Sequence, residues 1–570
     1  MLTVWLVAAW ILLILLWPFI RYLQDPKGLR KYPSQNIFSG LTGLAYGWEV
    51  GRRHRVFHTR RLHEQLVRDP VVRIGPNWLS FGRGQAVRDI YGFNSPCLKG
   101  TIYDSLQGGG ESLILTTSRE VHSQRRRMVA ASYAPSNVEL WEPRVAESTA
   151  ILVSKLDSMC TAAPLRPGAI VPQEQLAFDA NHWFMLYGFE CAIKIGLSKD
   201  PGWLMQGTDL TLVTRPDGLK EYANIIDCMH SSSRANATLV WDAASFPMMK
   251  KLTNLLSPWY ASQWHNASNW GAYIDQITAE RVERGEKGED FHDLCQLMIR
   301  DRKGDPAKIS AIDRITEVHQ VALLVPRITP LTTIRATVNG GGDGPAISLT
   351  NTLYYLLKNP ESMRKLREEL DEALGTDEVI APWSKMKRLP YLRACIDESM
   401  RLSPPVATDL IRKTPPDRSY MVAGELIPPD TSVSISAYTA HRDPEYFPDP
   451  EAWKPERWLM KGDGKLRDML AIYNPFSAGG RACIGRNTAI LVQVVCLGTL
   501  IHRYDFALPD PDFEMEWIDY FNLWPVELRL KVWRRQPDTA ALASVGDVPT
   551  EKKPWSEDSR SEKSEKTEVV

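Results

Sequence analysis

One cysteine, Cys483, lies in a short segment whose residue types suit a metal-bound thiolate. Phe476, Gly479, Arg481 and Gly485 surround it in the run Phe-Ser-Ala-Gly-Gly-Arg-Ala-Cys-Ile-Gly. Glycines let the backbone approach a sulfur closely, and nearby N–H groups tune the basicity of a thiolate ligand. A lone cysteine is more often a small, inert core residue. The glycines and the arginine at these positions favour a ligand instead.

The segment resembles the haem-binding loop of the cytochromes P-450, which has the pattern Phe-x-x-Gly-x-Arg-x-Cys-x-Gly. By that resemblance Cys483 is the axial ligand of a haem b iron. Phe476, Gly479, Arg481 and Gly485 belong to the haem-binding set, with Arg481 facing a propionate. A thiolate ligand pushes electron density towards oxygen and favours O–O cleavage. The resemblance implies a mainly α-helical fold with a smaller β region and the activity of a haem-thiolate monooxygenase.

A second set of residues follows the order of the same family. Glu398 and Arg401 are three residues apart, which places a carboxylate and a guanidinium on one face of a helix. Alone, such a pair is an ordinary surface ion pair. With Arg457 downstream, in Pro-Glu-Arg-Trp, the pair resembles the Glu-Arg-Arg triad of the family. The resemblance implies that all three residues have structural roles.

Further basic residues resemble the family's partners of the haem propionates. Arg412, in Leu-Ile-Arg-Lys-Thr, matches the second propionate-binding arginine. His122 and Arg126 stand where the family often has Trp-x-x-x-Arg, and the neighbouring Arg125 and Arg127 leave the register open by one residue. A solvated basic face is an equal alternative for this segment. A basic patch here would also suit docking of an acidic electron-transfer partner.

The distal side departs from the family pattern. The long central helix of the family carries Ala/Gly-Gly-x-Asp/Glu-Thr-Thr, and the corresponding segment here is Gly-Gly-Gly-Asp343-Gly344-Pro345. By resemblance Asp343 and Gly344 are the catalytic positions, and Gly344 replaces the threonine that helps to deliver protons. We expect a water held by Asp343 to replace the hydroxyl, and Pro345 to open the helix locally. Poor proton delivery, with chemistry that depends on it less, is the alternative.

An irregular segment, Pro326 to Asn339, precedes this motif. In the family, the run that resembles residues 317–325 leads directly into the motif. Pro326 and Pro330 predict a break in any helix, because each proline removes a backbone donor. We expect an insertion that bulges beside the substrate pocket, or translated intron sequence, which transcripts spanning the segment would exclude.

The resemblance also assigns the wall of the distal pocket. The wall consists of the loop 101–118, the turn 404–410 and the stretch 521–525. Phe521, Leu523 and Trp524 favour an apolar cavity for a lipophilic small molecule. Ordinary core packing is the alternative for each of these residues.

The N-terminal residues predict a membrane anchor. Residues 2–20 carry no charge and, as a helix, would rise about 28 Å, close to the hydrocarbon thickness of about 30 Å. Basic residues follow between residues 21 and 31, so the positive-inside rule predicts that the following chain faces the cytosol. We expect residues 1–22 to span the membrane of the endoplasmic reticulum once, and residues 23–40 to form a basic, proline-containing hinge.

Composition indicates one large domain followed by a polar tail. The 570 residues are 44% hydrophobic, and 68 basic residues balance 68 acidic ones, which argues against a nucleic-acid partner. The eight cysteines are scattered singly, which is typical of neither a disulfide framework nor a zinc site. We expect residues 41–535 to form the haem-thiolate catalytic domain. Residues 536–570 are rich in Ser, Glu, Lys, Asp and Pro, and predict disorder.

Some elements can be predicted locally: a helix Pro360–Leu374 and strands Tyr420–Leu426 and Ser432–Ala437. Residues 389–535 resemble fungal cytochromes P-450 of specialised metabolism, including benzoate 4-monooxygenase-like members. The resemblance implies electrons from NADPH through an NADPH–cytochrome reductase, and insertion of one oxygen atom from O2 into a lipophilic small molecule. A haem-thiolate enzyme of coupling, rearrangement or dehydration, or a non-catalytic haem-binding membrane protein, is the alternative.

Overall fold

The computed structural model describes Trp5 and residues 16–66, 70–106, 112–164, 168, 170–299, 325–375, 378–460, 462 and 464–535. The backbone alone is described for residues 325–337. Most of the predicted anchor 1–22 and the whole predicted tail 536–570 lie outside the described residues. Residues 16–24 are helical and expose Trp17, Phe19 and Leu23. In the part of the chain that is described, no helix combines the length and the apolar character needed to cross a bilayer.

Helices make up most of the described chain, as predicted. Long helices and single-turn α-helices are numbered together in chain order. They are α1 Leu44–Gly51, α2 Arg55–Gln65, α3 Gln85–Tyr91, α4 Ile102–Ser105, α5 Arg119–Ala130, α6 Pro135–Met159, α7 Ala180–Leu197, α8 Trp203–Gln206, α9 Ile225–Leu239, α10 Phe246–Leu256, α11 Pro258–Glu286, α12 Leu294–Ile299, α13 Val325–Lys358, α14 Pro360–Ala373, α15 Trp383–Met386, α16 Pro390–Leu402, α17 Ala437–Ala440, α18 Gly464–Ile472 and α19 Arg486–Arg503.

The strands are short and form small sheets. They are β1 Val71–Gly75, β2 Trp78–Phe81, β3 Leu98–Lys99, β4 Phe178–Asp179, β5 Leu210–Thr214, β6 Lys220–Asn224, β7 Arg412–Lys413, β8 Tyr420–Val422, β9 Glu425–Ile427, β10 Ser432–Ser434, β11 Tyr504–Ala507, β12 Trp517–Asp519, β13 Leu523–Pro525 and β14 Arg529–Arg534. The largest sheet has the order β1-β2-β10-β7-β3, and β10 runs parallel to β2. A three-stranded sheet has the order β11-β14-β4, and β5-β6, β8-β9 and β12-β13 form separate pairs.

Helix α13 lies in the centre of the fold. Its backbone packs closely against that of α7. A Cβ on Gly188 of α7 would collide with the carbonyl of Gly342, and a Cβ on Gly342 would lie 2.5 Å from the ring of Phe189. The hydroxyl of Ser348 on the same helix donates to Oε1 of Gln493 on α19 at 2.6 Å. Helix α13 is therefore fixed between α7 and α19, the helix that follows Cys483.

The expected break and bulge in α13 are wrong. The helix is continuous from Val325 to Lys358 and passes through Pro330 and Pro345. Pro326 lies in the first turn, where the N–H has no acceptor within the helix. Because proline has no backbone N–H, Pro330 and Pro345 each leave one carbonyl without its usual donor. The contacts of the buried residues 345–352 with the neighbouring helices hold the helix together despite this loss.

The local predictions differ in accuracy. The predicted helix Pro360–Leu374 corresponds to α14 within one residue. The predicted strand Tyr420–Leu426 is wrong as a single strand. It is the hairpin β8-β9, because Ala423 and Gly424 have φ values of 47° and 87° and form its turn. The predicted strand Ser432–Ala437 ends earlier, at Ser434.

Candidate active site

Cys483 lies in a loop that leads from the 3-10 turn Gly479–Arg481 into α19. The Cys483 N–H donates to the carbonyl of Phe476 at 2.8 Å, which closes the loop. Gly479 has a φ of 63°, and a Cβ there would collide with the carbonyl of Tyr91. Glycine is required at this position for both reasons.

The thiol of Cys483 is subject to opposing influences. Its side chain keeps accessible surface, yet burial is the largest influence on the thiol and raises its pKa. The backbone N–H groups of Gly485 and Arg486, together with the charge of Arg126, act on the pKa in the opposite direction. Donors directed at the sulfur stabilise the thiolate, which is the form that binds a metal.

A cluster of four cations and one histidine, named the cation cluster, lies close to this loop. It consists of Lys99, His122, Arg126, Arg412 and Arg481. Lys99 on β3 stands directly opposite Arg412 on β7, whose charge lowers the pKa of Lys99. Arg481 donates to the carbonyls of Thr116 and Ser118 at 2.8 and 3.1 Å. Arg126 donates to the carbonyl of Ala482 at 2.7 Å.

The positive charges of the cation cluster repel one another, so an anion bound among them would be stabilised. Burial, and then the charges of Arg412 and Arg119, lower the pKa of Arg481 to about 10. Burial, and then the charges of Arg481 and Arg126, lower the pKa of His122 to about 4. The pKa of Lys99 is likewise lowered, by burial and then by Arg412 and Arg481. Carboxylates bound among these residues would relieve their mutual repulsion.

Glu398, Arg401 and Arg457 meet in the interior. Both carboxylate oxygens of Glu398 accept from Arg401 at 2.9 Å, and Oε1 also accepts from Nε of Arg457 at 3.0 Å. The indole of Trp458 and the N–H of Lys454 donate to the same carboxylate at 3.0 and 2.9 Å. All three charged groups are buried, and each is paired.

Asp343 is enclosed by donors from outside its own helix. Oδ1 lies 2.7 Å from Nε2 of His230 on α9. Oδ2 accepts from Nδ2 of Asn522 at 2.8 Å and from Nε1 of Trp524 at 3.2 Å. We expected Asp343 to hold a water in place of the missing hydroxyl. Both of its oxygens already lie within hydrogen-bonding distance of side chains.

Gly344 leaves open space beside Asp343. A Cβ on Gly344 would meet no atom within 4 Å. Ser348 lies one turn further on the same face of α13 and donates to Gln493 of α19. The open face at Gly344 is thus directed towards the helix that begins beside Cys483.

The segments predicted for the distal pocket are partly joined to one another. The N–H of Leu523 donates to the carbonyl of Pro405 at 2.9 Å, which connects the stretch 521–525 to the turn 404–410. Leu523 and Trp524 are buried, whereas Phe521 keeps 38% of its surface accessible. Residues 107–111 of the loop 101–118 lie outside the described part.

Comparison with known proteins decides the family. The profile described as Cytochrome P450 matches residues 93–520. The chain belongs to the cytochrome P450 family. Its enzyme class, a haem monooxygenase, is confirmed with the family.

The relatives of this P450 are fungal monooxygenases. A cytochrome P450 monooxygenase of Aspergillus terreus is 27% identical and covers 82% of this chain and 89% of its own length. The cytochrome P450 monooxygenase cicH of Emericella nidulans is 28% identical, with 82% and 86% covered. The crystal structure of the cytochrome P450DA heme domain matches with a TM-score of 0.65 at 16% identity, covers 89% of this chain and 98% of its own, and shares the fold.

The donor set of this P450 fits a haem. Cys483 offers a sulfur stabilised by two N–H groups, and the cation cluster offers charges for two propionates. The P450 site also contains residues that the sequence analysis missed. His230 is 113 positions from Asp343 and belongs to no motif, so nothing in the sequence connects them. Asn522 and Trp524 lie in a segment predicted as an apolar wall, and their polar contacts with Asp343 could not be predicted from residue type.

Proposed function

We propose that this P450 inserts one oxygen atom from O2 into a lipophilic small molecule of secondary metabolism. The observation that carries the proposal is the loop of Cys483, which the hydrogen bond from its N–H to the carbonyl of Phe476 closes and in which the N–H groups of Gly485 and Arg486 favour the thiolate. When bound, the haem supplies oxygen activation. Phe476, Gly479 and Gly485 shape the loop, and Cys483 is the iron ligand.

The cation cluster is proposed to bind the two haem propionates. The charge of Arg412 lowers the pKa of both Arg481 and Lys99, and Arg126 supports the peptide before Cys483. The neutral state favoured for His122 makes it a hydrogen-bonding rather than a charged partner. Each of these residues would help to hold the haem beside Cys483.

The decisive test replaces Cys483 by alanine. The wild-type protein, loaded with haem, reduced and exposed to carbon monoxide, should give the Soret band characteristic of thiolate ligation, and the variant should lose it. Cys160→Ala removes a half-buried sulfur elsewhere and serves as the matched control. A Cys483→Ala protein that kept the thiolate band would refute the ligand assignment.

A lipophilic substrate is supported by the wall beside Asp343. Leu523 packs with Ala407 and Val56 in a small apolar cluster, and partly buried aromatic residues surround it. Apolar surfaces of this kind exclude water and favour lipophilic molecules. Metabolites that accumulate when the host gene is deleted should bind the purified protein and shift its haem spectrum. Polar metabolites alone in that set would contradict the proposal.

Electrons are proposed to come from NADPH through a flavoprotein reductase. Arg127 on α5 and Arg486 at the start of α19 are exposed near the Cys483 loop, and positive charge there suits an acidic partner. Replacement of Arg127 by glutamate should slow reduction by the reductase and leave dithionite reduction unchanged. An unchanged rate with the reductase, at low ionic strength, would argue against docking at this surface.

The membrane anchor is proposed for residues 1–22, with residues 23–40 as the hinge, residues 41–535 as the catalytic domain and residues 536–570 as a disordered tail. The uncharged stretch 2–20 and the exposed apolar side chains in residues 16–24 support a single-pass anchor in the endoplasmic reticulum. Deletion of residues 1–22 should move the protein from the membrane fraction to the supernatant. Retention in carbonate-washed membranes would place the anchor elsewhere.

A haem-thiolate reaction of coupling, rearrangement or dehydration is the second candidate. The observation that favours it is Gly344, because the site lacks a hydroxyl and both oxygens of Asp343 are engaged. Gly344→Thr fits the open space and tests this candidate. If proton delivery limits the native reaction, the variant should form more oxygenated product per NADPH. No gain in coupling would favour efficient oxygen insertion by the native protein.

A further inference from the structure

Asp343 is sealed from solvent, whereas two of its partners, His230 and Asn522, keep accessible surface. The side chain of Asp343 is 3% accessible, and that of His230 is 15% accessible. His230 lies on α9. Asn522 immediately precedes β13, and Trp524 lies within β13. A proton that reaches Asp343 from outside must therefore pass a side chain that touches both the carboxylate and the accessible surface.

The three donors to Asp343 differ in their chemistry. The amide of Asn522 and the indole of Trp524 donate hydrogen bonds and do not exchange protons near neutral pH. Imidazole takes up and releases a proton in that range. Among the described residues that hydrogen-bond to Asp343, His230 is thus the one that can supply a proton.

The surrounding contacts fix the relative positions of His230 and Asp343. Asn522 and Trp524 both bind Oδ2, so Oδ1 is turned towards His230. The imidazole ring lies against the indole of Trp524, with centroids 4.3 Å apart and an angle of 39° between the planes. Trp524 therefore restrains both the acceptor and the donor, which keeps the separation of 2.7 Å suitable for proton transfer.

We propose that His230 is the proton-relay residue of this P450, a positioning residue that acts through Asp343 and makes up for the missing threonine. This inference rests on the proposed monooxygenase function. Protonated His230 transfers the proton from Nε2 to Oδ1, which leaves a neutral imidazole and a neutral carboxylic acid. Asp343 then passes the proton to the reacting oxygen and becomes a carboxylate again. The imidazole regains a proton from water at its accessible edge, and no electron is transferred in these steps.

The variant His230→Gln distinguishes a proton-relay role of His230 from a packing role. Glutamine keeps an amide donor for Asp343 and cannot carry a proton, so the protein should fold and bind substrate. We expect product formation to fall on the order of 10²-fold, with peroxide released in its place and a larger solvent deuterium isotope effect. His265→Gln makes the same change at an exposed histidine of α11 that pairs with Glu221, and should retain the wild-type yield and isotope effect. Product yield and isotope effect unchanged in His230→Gln would overturn the proposal.

A second measurement does not depend on turnover. In the haem-loaded protein, the melting temperatures of His230→Leu, Asp343→Asn and the double variant form a cycle that reports whether the two side chains interact. We expect the single variants to lose several degrees each and the double variant to lose less than their sum. Additive losses would show that His230 and Asp343 do not interact, and would overturn the proposal. A wild-type protein without the thiolate Soret band would refute the proposed function, and the cycle would still decide the contact.

Discussion

Nη1 of Arg126 donates to the carbonyl of Ala482 at 2.7 Å, so α5 holds the peptide immediately before Cys483. The charge of Arg126 also favours the thiolate form of Cys483. The resemblance makes Arg126 a candidate propionate partner, with the register open among three consecutive arginines. The contact with Ala482 singles out Arg126 and adds a second task, the support of the metal ligand through its loop.

Arg126→Ala should therefore weaken haem binding. Loss of a residue that orients a metal ligand typically costs about 10- to 100-fold in affinity. We expect the haem of the variant to transfer faster to an acceptor such as apomyoglobin, followed by its absorbance. Arg127→Ala removes an exposed arginine of the same helix and is the matched control. Equal transfer rates in the two variants would exclude this role of Arg126.

Two neighbouring glycines of α13 should respond to alanine in opposite directions. A Cβ on Gly340 enters open space, so Gly340→Ala should raise the free energy of unfolding by about 0.5–1 kcal/mol through the backbone entropy of the unfolded chain. A Cβ on Gly342 would lie 2.5 Å from the ring of Phe189, so Gly342→Ala should lower the free energy by about 1–3 kcal/mol. Urea unfolding of both variants measures the difference. The same sign for both would contradict the packing described for this helix.

The proximal side could be predicted largely from the sequence, because each residue there sits in a motif of fixed spacing. The order of Glu398 and Arg401 on one helical turn, and of the glycines around Cys483, is local information, and the structure places these residues together. Arg412 and Lys99 come together through strand pairing between distant segments. Their mutual repulsion could not be foreseen from either segment alone.

The distal side could not be predicted for a different physical reason. Helix α13 tolerates Pro345 because tertiary packing at Gly342 and Ser348 outweighs the lost backbone bond. The donors of Asp343 come from α9 and from the turn before β13, and no periodicity in either segment marks them. Long-range contacts of single polar side chains leave no local pattern in a sequence.

The buried carboxylate of Glu398 should be essential for stability. Glu398→Gln leaves the guanidinium groups of Arg401 and Arg457 without a counter-charge, and breaking a buried pair costs about 3–5 kcal/mol. We expect a large drop in the midpoint of urea unfolding and a low yield of haem-loaded protein. Glu456→Gln breaks an ion pair with Lys365 at the surface and should cost at most about 1 kcal/mol. Similar losses in both variants would argue against a buried charge network.

His441 should make the fold sensitive to acid. Burial, and then the charge of Arg401, lower its pKa from 6.5 to about 3, and its Nε2 lies 3.0 Å from Oδ1 of Asn474. The unfolded chain binds a proton near pH 6.5 and the folded protein only near pH 3. The stabilising contribution of neutral His441 is therefore complete above about pH 6.5 and is lost as the pH falls towards about 3.

The loss at His441 is about 2 kcal/mol at about pH 5 relative to about pH 7.5, since each pKa unit corresponds to about 1.4 kcal/mol. His441→Gln should lower stability at neutral pH and flatten its decrease towards pH 5 by a similar amount. The free energy of urea unfolding, measured across this range, gives both quantities. His63, whose pKa burial also lowers to about 3, provides an independent case, and His63→Gln should add to the effect. An unchanged slope in both variants would show that these histidines are not the acid-sensitive groups.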